Sequence, residues 1–541
     1  MTLVVGPILG FRGVENGEWH TCALVVASGE GASPELRWSV DDENWSTPEP
    51  THLKSFKDFE VWRFDWAVKQ EDYERVVEYA LEDGGSYSYS VPAEGKAPRI
   101  AYASCAGFHS LKDMKGMKSK NAMWSVLAEQ HGGEAYHLLV MGGDQVYSDL
   151  VWDEVPPLQD WLDKPLDERL EEPFTEEMRA RVERFYFDLY CTRWSQREPA
   201  RVMSQVPSLM MWDDHDIFDG WGSYPKDQQE NSVYKGIYEQ AREHFRLFQL
   251  QASDDQDLPA AMVLEPGAQG EQDNFTYAYR IGDVALAVLD MRSERTGRRV
   301  MGLETWKALR EWTHRKVPGC KHLLVISSIP VVYVNANMLE STLGFVPGHQ
   351  DLEDDLRDQW RSRAHREERV GLVHELLDLS KRENCRVTIV SGDVHLAALG
   401  SIESERDGSA PAEASSITQL ISSPIVNKPL SGKLIYLLEQ ATTLMGLMGR
   451  KVEEVDRGIT AQMLQFPGSA QRFIGARNWL GLELDEQHRL CAEWYAEDKE
   501  EPYVKVVYPI DATAQGAVAQ RRGGYALRTA LQIRRYWGID E

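Results

Sequence analysis

From residue 100 onward, short apolar runs alternate with amphipathic helical segments along this chain of 541 residues. Such alternation is typical of layered α/β folds, in which sheets are flanked by helices. It therefore predicts an α/β fold for the larger part of the chain. The strands predicted there are Ile100–Ser104, His137–Met141, Ser208–Trp212, Val284–Leu289, His322–Ser327 and Arg386–Val390.

The first 91 residues follow a different pattern, because short β-like runs are separated there by Gly, Pro, Asn and Asp clusters. This pattern favours a small N-terminal all-β sandwich over residues 1–91. Residues 92–99 are polar and bracketed by prolines, which predicts a linker before a large domain over residues 100–541. A second domain is also expected from length, since single cores stop growing near about 250–300 residues.

Charge and composition narrow the classes of partner. The formal net charge is −27, which disfavours binding to nucleic acid and to anionic membranes. The six cysteines show no CxxC pair, and the chain has neither a signal-like start nor an uncharged apolar run of about 20 residues. We expect a cytoplasmic protein without membrane insertion or a nucleic-acid partner, while its oligomeric state stays open.

Residue types that bind metals follow several of the predicted strands. Ligands in open α/β sheets gather outside the carboxyl ends of strands, so these segments are expected to lie close together. Hydrolysis of a phosphate ester by two metal ions, about 3.5–4 Å apart, requires such a concentration of ligands. The five segments are Ser104–Gly107, Gly143–Tyr147, Trp212–Asp216, Leu289–Arg292 and Gly392–His395.

The order and chemistry of these segments resemble the PhoD-type alkaline phosphatases of the calcineurin-like metallophosphatase superfamily. The Gly-Asp-x-x-Tyr motif at Asp144 and Tyr147 is shared with PhoD enzymes and purple acid phosphatases, and the N-terminal module is similar to the family's small β domain. The resemblance covers about residues 100–399. It implies a layered metallophosphatase core and a metal-dependent phosphomonoesterase that acts on a small phosphate ester through a metal-bound hydroxide.

The resemblance also implies a set of metal ligands, with Asp144 as the bridging carboxylate. Tyr147 offers a phenolate, a hard anionic ligand that suits trivalent iron. The expected ions are Fe3+ and one or two Ca2+, with Mn2+ or Zn2+ as substitutes. The expected ligands are Cys105, Asp144, Tyr147, Asp213, Asp214, Asp393 and His395.

Two residues are expected to act in catalysis. By resemblance, His215 donates to the leaving oxygen or steadies the phosphoryl group, a role that suits the pKa of imidazole. Arg292 has two interpretations: its planar guanidinium holds a phosphate oxygen, or it is a buried partner for Asp290. Asp216 stands where PhoD relatives usually carry Glu. Further pocket candidates are His109, Ser327, Ser328, His349 and Asn427.

Three alternatives stay open. The same metal site also serves a phosphodiesterase or a phospholipase-like enzyme. Cys105 with a histidine base is a nucleophile in a metal-free alternative. A non-catalytic, metal-stabilised binding module is the third. The pattern also predicts an insertion over Val151–Glu177 and a surface loop or lid over Asn335–Arg366.

Overall fold

The computed structural model describes residues 2–29, 33–40, 44–82, 85–267, 272–334, 365–405, 414–447, 453–497 and 499–510. Its strands are β1 Thr2–Glu15, β2 Glu18–Ser28, β3 Leu36–Val40, β4 Pro50–Phe56, β5 Phe59–Lys69, β6 Arg75–Leu81, β7 Gly85–Val91, β8 Ile100–Ala103, β9 Leu138–Gly142, β10 Ser208–Met211, β11 Tyr277–Ile281, β12 Val284–Val288, β13 His322–Ser327, β14 Arg386–Ser391, β15 Ala397–Ser404, β16 Ser416–Ser422, β17 Glu453–Asp456, β18 Ile459–Leu464, β19 Phe473–Ile474, β20 Asn478–Leu484, β21 Leu490–Ala496 and β22 Tyr503–Val507.

The α-helices of the described residues are α1 Leu111–Gly116, α2 Ala122–Gly133, α3 Val151–Glu154, α4 Pro156–Leu162, α5 Leu166–Glu171, α6 Glu176–Trp194, α7 Arg197–Met203, α8 Lys226–Gln229, α9 Ser232–His244, α10 Leu303–Lys316, α11 Arg366–Glu383 and α12 Gly432–Leu447. Local signals fix several of their ends. The side chains of Thr175 and Asn231 accept hydrogen bonds from the first turns of α6 and α9, and α11 stops at Asn384, whose φ is 49°. Within the described part of the chain, no helix is both long and apolar enough to cross a bilayer.

Two large sheets face each other across the main core. The first has the order β22-β21-β20-β8-β9-β10-β1-β2-β5-β4, and the second has the order β11-β12-β13-β14-β16-β15-β18-β17 with β19 paired to β15. In the first sheet β8, β9, β10 and β1 run parallel, and in the second β12, β13, β14 and β16 do so. This architecture confirms the predicted α/β fold.

Successive side chains of the central strands point to opposite faces of the sheet and so belong to different layers of the core. In β9, Leu138 and Val140 join the cluster between the sheets, whereas Leu139 and Met141 pack against helices α2, α6 and α7. Helices α10 and α11 cover the other sheet in the same way. The six predicted strands correspond to β8, β9, β10, β12, β13 and β14, with ends that agree within one residue. Their carboxyl ends therefore meet where the two sheets face each other.

The N-terminal strands are continuous with this architecture. Strands β1, β2, β4 and β5 extend the first sheet, and β1 joins β10 through the pairing of Gly10 with Ser208. Strands β3, β6 and β7 form a third sheet, which packs on β5 where the indole N–H of Trp66 donates to the Tyr89 hydroxyl at 2.9 Å. The division into residues 1–91, 92–99 and 100–541 stays a prediction.

The predicted insertion over Val151–Glu177 begins with helices α3, α4 and α5. Trp152 lies edge-on to Phe218, with ring centroids 5.2 Å apart, so α3 packs against the loop that follows β10. The predicted lid over Asn335–Arg366, apart from its last two residues, and the pocket candidate His349 lie outside the described residues.

Candidate metal centre

The predicted ligands follow four parallel strands from the two facing sheets. Cys105 follows β8 and Asp144 follows β9, while Asp214 and His215 form a short 3-10 turn after β10. Asp393 and His395 follow β14 in the opposite sheet. Adjacent parallel strands bring their carboxyl ends to one edge, so residues far apart in sequence meet there.

Four of these residues have a backbone conformation that L-amino acids rarely adopt. The φ angles are 55° at Cys105, 57° at Asp144, 68° at Asp393 and 51° at His395. A non-glycine residue in this left-handed region costs about 1–3 kcal/mol, and such residues concentrate at functional sites. The strand ends therefore turn sharply at the positions where the sequence predicts ligands.

The first group of donor atoms centres on one carboxylate oxygen. The Cys105 thiol and the Tyr147 hydroxyl both point to Asp144 Oδ2, at 3.5 and 3.3 Å. The same hydroxyl lies 3.3 Å from Nε2 of His395. A thiol, a carboxylate, a phenol and an imidazole therefore lie next to one another.

A second group shares the same carboxylate. Ligand atoms of Asp144, Asp214 and His215 all lie within 4.8 Å of one another. Asp144 therefore belongs to both groups. Its carboxylate would therefore be available to a cation held by either group.

Glycines permit the close packing that holds these donors in place. A Cβ on Gly143, whose φ is 121°, would lie 3.0 Å from the Asp213 Cβ and 3.1 Å from the Ser328 Cβ. A Cβ on Gly107 would lie 2.5 Å from Cδ2 of Tyr147. Larger residues at these positions would displace the turn before Asp144 or the Tyr147 ring.

The donors lie in a strongly desolvated environment. Burial, with repulsion from Asp144 and Asp393, raises the pKa of the Cys105 thiol, and burial also raises the pKa values of Asp144 and Tyr147. Burial lowers the pKa of His395 to about 3. Placing a cation among such groups favours the thiolate, the carboxylate and the phenolate, and the neutral imidazole is already the ligand form.

The donor set fits a cation for a further reason. Oδ1 of Asp144 is buried and has no hydrogen-bond partner among the described residues. Buried carboxylate oxygens are normally hydrogen-bonded, so an orphaned one at the junction of two donor groups is consistent with a metal ligand.

His215 is held by a residue that the sequence analysis did not identify. Its Nδ1 lies 2.9 Å from Oδ2 of Asp149, whose other oxygen accepts the N–H of Asp219 at 2.9 Å. The His215 ring stacks on Tyr147 with centroids 4.4 Å apart. Burial opposes protonation of His215, but the charges of Asp149 and Asp214 raise its pKa well above the ordinary value.

Arg292 is fully buried, with a side-chain exposure of 0%. Its Nε donates to Oδ1 of Asp213, which also accepts the Ser328 hydroxyl at 2.8 Å, and its NH1 donates to the Trp221 carbonyl at 3.0 Å. Its NH2 also lies 3.3 Å from Oδ1 of Asp214, so the guanidinium is a buried partner of two carboxylates, those of Asp213 and Asp214, where the sequence offered Asp290 as the partner. The ligand role of Asp213 stays a prediction.

Two further carboxylates lie beneath the donors. Asp216 accepts hydrogen bonds from the backbone N–H groups of Gln145, Val146 and Asp213, and from the Gln249 amide, at 2.9–3.2 Å. Burial raises the pKa of Asp216 to about 7, although these hydrogen bonds oppose the shift. Gln249 belongs to the π-helical segment Phe245–Gln249.

Asp290 is likewise enclosed. It accepts the indole N–H of Trp212 and the backbone N–H of Phe275, both at 2.8 Å, together with the backbone N–H of Arg292 at 3.0 Å. Neither Asp216 nor Asp290 is among the ligands that the sequence predicts, and their hydrogen bonds indicate a supporting role for both.

The other pocket candidates have different positions. The His109 ring centroid lies 6.4 Å from that of His215, and the Asn427 N–H donates to the Cys105 carbonyl at 3.2 Å. Ser328 contacts Asp213 as described, whereas the Ser327 hydroxyl donates to the Ile329 carbonyl and lies within the core.

Comparison with known proteins bears on the fold and the family of this chain. The uncharacterized protein YGR266W of Saccharomyces cerevisiae (strain ATCC 204508 / S288c) is 27% identical over 529 residues, which cover 82% of this chain and 75% of the yeast protein. The solved structure of PhoD superimposes with a TM-score of 0.54 at 11% identity, over 94% of this chain and 92% of PhoD. The purple acid phosphatase PPD1 from yellow lupin (Lupinus luteus) seeds gives a TM-score of 0.48 at 11% identity, over 93% and 74% of the two chains.

The likeness to PhoD shows a shared fold. Family membership follows from the sequence, because the model of the PhoD related phosphatases matches residues 103–347 and 337–467, a region that includes every predicted ligand. The chain therefore belongs to the PhoD related phosphatase family, and its activity is that of a metal-dependent phosphatase.

Proposed function

We propose that this phosphatase is a phosphomonoesterase whose reaction takes place at the two donor groups that share Asp144. The observation that carries the proposal is the position of this carboxylate. One oxygen of Asp144 is contacted by Cys105 and Tyr147, and the other is buried without a hydrogen-bond partner among the described residues. Two-metal hydrolases require a carboxylate in this position.

The two groups would hold different ions. Cys105, Asp144, Tyr147 and His395 form the first set, and their thiolate, phenolate and imidazole chemistry favours Fe3+. Asp144 and Asp214 offer carboxylate oxygens to the second ion, a chemistry that favours Ca2+, and Asp393 would join them, as the resemblance implies. Mn2+ or Zn2+ are substitutes with overlapping ligand preferences. Bound cations supply charge stabilisation for the phosphoryl oxygens and water activation at neutral pH.

His215 would hold the proton that the leaving oxygen needs. Because Nδ1 is bound to Asp149, proton transfer to the leaving oxygen would fall to Nε2. Asp149 acts here as a positioning residue, since it contacts His215 and not the ester. Arg292 holds Asp213 and the turn after β10 in place rather than a phosphate oxygen.

The proposal is tested with protein purified without chelator. We expect elemental analysis to find iron together with calcium, and p-nitrophenyl phosphate to be hydrolysed in preference to bis-p-nitrophenyl phosphate. Removal of the metals should abolish both activities. Preference for the bis ester would make the enzyme a diesterase, and bound metal without turnover of any ester would favour a binding module.

The thiol alternative makes a distinct prediction. A Cys105 nucleophile requires that alkylation inactivates the enzyme without loss of metal, and that chelators have no effect. Burial raises the pKa of Cys105, which disfavours the free thiolate that a nucleophile needs. Chelator sensitivity would therefore argue against this alternative.

A further inference from the structure

Two neighbouring segments beside the metal centre are rich in lysine. Residues 109–120 contain four lysines and one acidic residue, and residues 427–433 contain two lysines and none. The exposed lysines of these segments, here called the lysine rim, are Lys112, Lys115, Lys118, Lys428 and Lys433.

Side-chain and backbone contacts place these segments at the candidate metal centre. His109, at the start of the first segment, has its ring centroid 6.4 Å from that of His215. In the second segment, the N–H of Asn427 donates to the Cys105 carbonyl at 3.2 Å and that of Leu430 donates to the His395 carbonyl at 3.1 Å. The first segment therefore lies beside a side chain of the second donor group, and the second segment is bonded to the backbone of two donor residues.

The two segments also contact each other. Asp113 in helix α1 lies 3.4 Å from Nζ of Lys428 and 3.6 Å from Nε2 of His109. This carboxylate neutralises part of the rim and connects its two halves. The remaining lysines of the rim still outnumber the single acid, so the rim stays positive.

The first segment is anchored from below. Met114 and Met117 pack against the helical side of the core, and NH1 of Arg477 donates to the carbonyls of Ser119 and Lys120 at 2.6 and 2.9 Å. This anchoring fixes the backbone, while Lys112 and Lys115 remain exposed. The rim is therefore a positioned surface and not a free tail.

The charge of the rim contrasts with that of the whole chain. The chain has 86 acidic residues and 59 Lys and Arg residues, so an average surface repels anions. A positive patch at the entrance to a site concentrates anionic ligands and speeds their association, within a Debye length of about 8–10 Å. A substrate with one phosphate is attracted mainly by the metal ions, so an additional rim favours a second anionic group.

We propose that the substrate is a phosphate ester with at least one further phosphate or comparable anionic group, which the lysine rim binds while the scissile phosphate lies at the metal centre. This inference rests on the proposed function and deepens it. The second anion belongs to a soluble molecule or to a lipid headgroup, since both present the same chemistry to the rim.

Kinetics with paired substrates test the proposal. Release of phosphate is measured from fructose 1,6-bisphosphate, fructose 6-phosphate and p-nitrophenyl phosphate, and from vesicles that contain phosphatidylinositol 4,5-bisphosphate. We expect the variant Lys112→Gln/Lys115→Gln/Lys428→Gln to raise KM for the preferred bisphosphate by about tenfold, with weaker salt dependence, because exposed ion pairs each contribute modestly. Hydrolysis of p-nitrophenyl phosphate should change by about twofold only.

The matched control removes three exposed lysines elsewhere. Lys57→Gln/Lys69→Gln/Lys307→Gln changes the net charge equally, at the β4–β5 turn, the end of β5 and helix α10. It should leave KM for the bisphosphate unchanged, which excludes a general effect of net charge. A preference for the vesicles would identify the lipid source, and a preference for the sugar would identify the soluble one.

Two results would overturn the inference. Equal kcat/KM for the sugar mono- and bisphosphate, with no preference for the vesicles, would show that no second anion is bound. An equal increase of KM in the rim and control variants would show that the position of the lysines does not matter. If no ester is hydrolysed, the proposed function fails instead, and calorimetric binding of the two sugar phosphates to both variants then tests the rim on its own.

Discussion

Asp144 and Asp216 are both buried carboxylates at the same edge of the sheets, with exposures of 2% and 1%, but their surroundings differ. Asp216 accepts hydrogen bonds from three backbone N–H groups and one amide. Asp144 is contacted by a thiol and a hydroxyl on one oxygen, and its other oxygen has no partner among the described residues. Burial alone therefore does not distinguish a ligand from a supporting group, whereas hydrogen-bond satisfaction does.

The backbone shows the same contrast. Asp144 has a φ of 57°, whereas Asp216 lies in the 3-10 turn after β10 and completes a capping box with Asp213. The proposed ligand Asp144 combines an unusual backbone conformation with a carboxylate oxygen that has no hydrogen-bond partner among the described residues, whereas Asp216 has neither feature. We expect substitutions in the first region to affect metal and turnover, and those in the second to affect stability.

The largest effect is expected for Asp144→Asn. Loss of the shared carboxylate should remove bound metal and reduce kcat/KM for p-nitrophenyl phosphate by about a thousandfold, equivalent to about 4 kcal/mol. Because burial disfavours the charge of Asp144, the metal-free variant should unfold at a higher urea concentration than the metal-free parent. Retention of full activity would contradict the bridging role.

Cys105→Ser should reduce metal affinity by about a hundredfold, the upper part of the range for perturbed metal sites. Competition with a chelator, followed by elemental analysis, measures this change. Cys22→Ser is the matched control, because Cys22 is equally buried but its thiol donates to Gln251 Oε1 at 3.1 Å, away from the donor groups. Loss of activity with full metal retention would favour a nucleophilic thiol.

Asp216→Asn should decrease the free energy of unfolding by about 2 kcal/mol, since an amide group leaves at least one buried backbone N–H without an acceptor. Urea unfolding of the metal-free protein measures this effect. The protein is measured without metal, so that a change in metal affinity does not contribute to the change in the free energy of unfolding. An unchanged midpoint of urea unfolding would show that the hydrogen bonds of Asp216 do not stabilise the fold.

The smallest effect concerns His244, at the end of helix α9 beside the π-helical segment that carries Gln249. Burial lowers the pKa of His244 to about 4. Between pH 6.5 and pH 5.5 the unfolded histidine goes from half to almost fully protonated while the folded one stays neutral, so the free energy of unfolding falls by about 1 kcal/mol as the pH falls.

His244→Phe tests this expectation, because phenylalanine retains the ring contacts with Tyr186 and Phe248 and cannot titrate. The difference in unfolding free energy between the two pH values should be smaller in the variant by that amount. Parallel pH dependence in the two proteins would exclude His244 as a source of acid sensitivity.

Much of the fold was predictable because local patterns are strong in the central strands. Runs such as His322–Ser327 are apolar and buried on both faces, and their ends match the prediction. The N-terminal module was harder, since β1 pairs with both β2 and β10 and so belongs to the large sheet. Pairing across about 200 residues leaves no local signal.

The candidate site was predictable in composition but not in contacts. The motif at Asp144 and Tyr147 identifies donor types, and the structure places both within one group. The partners of Arg292 and His215 could not be derived, because Asp213 and Asp149 are separated from them by 79 and 66 residues. At such separations, the spacing in sequence does not show which carboxylate pairs with which basic side chain.

The sequence by itself determined the alternation of strands and helices and the ligand-type residues that follow the strands, because periodicity and residue chemistry are local properties. Only the tertiary structure decided which carboxylates have all their hydrogen-bond partners and which have an oxygen left for a ligand. That distinction depends on how two facing sheets bring turns together, and a buried carboxylate becomes a support or a ligand according to the donors that packing places around it.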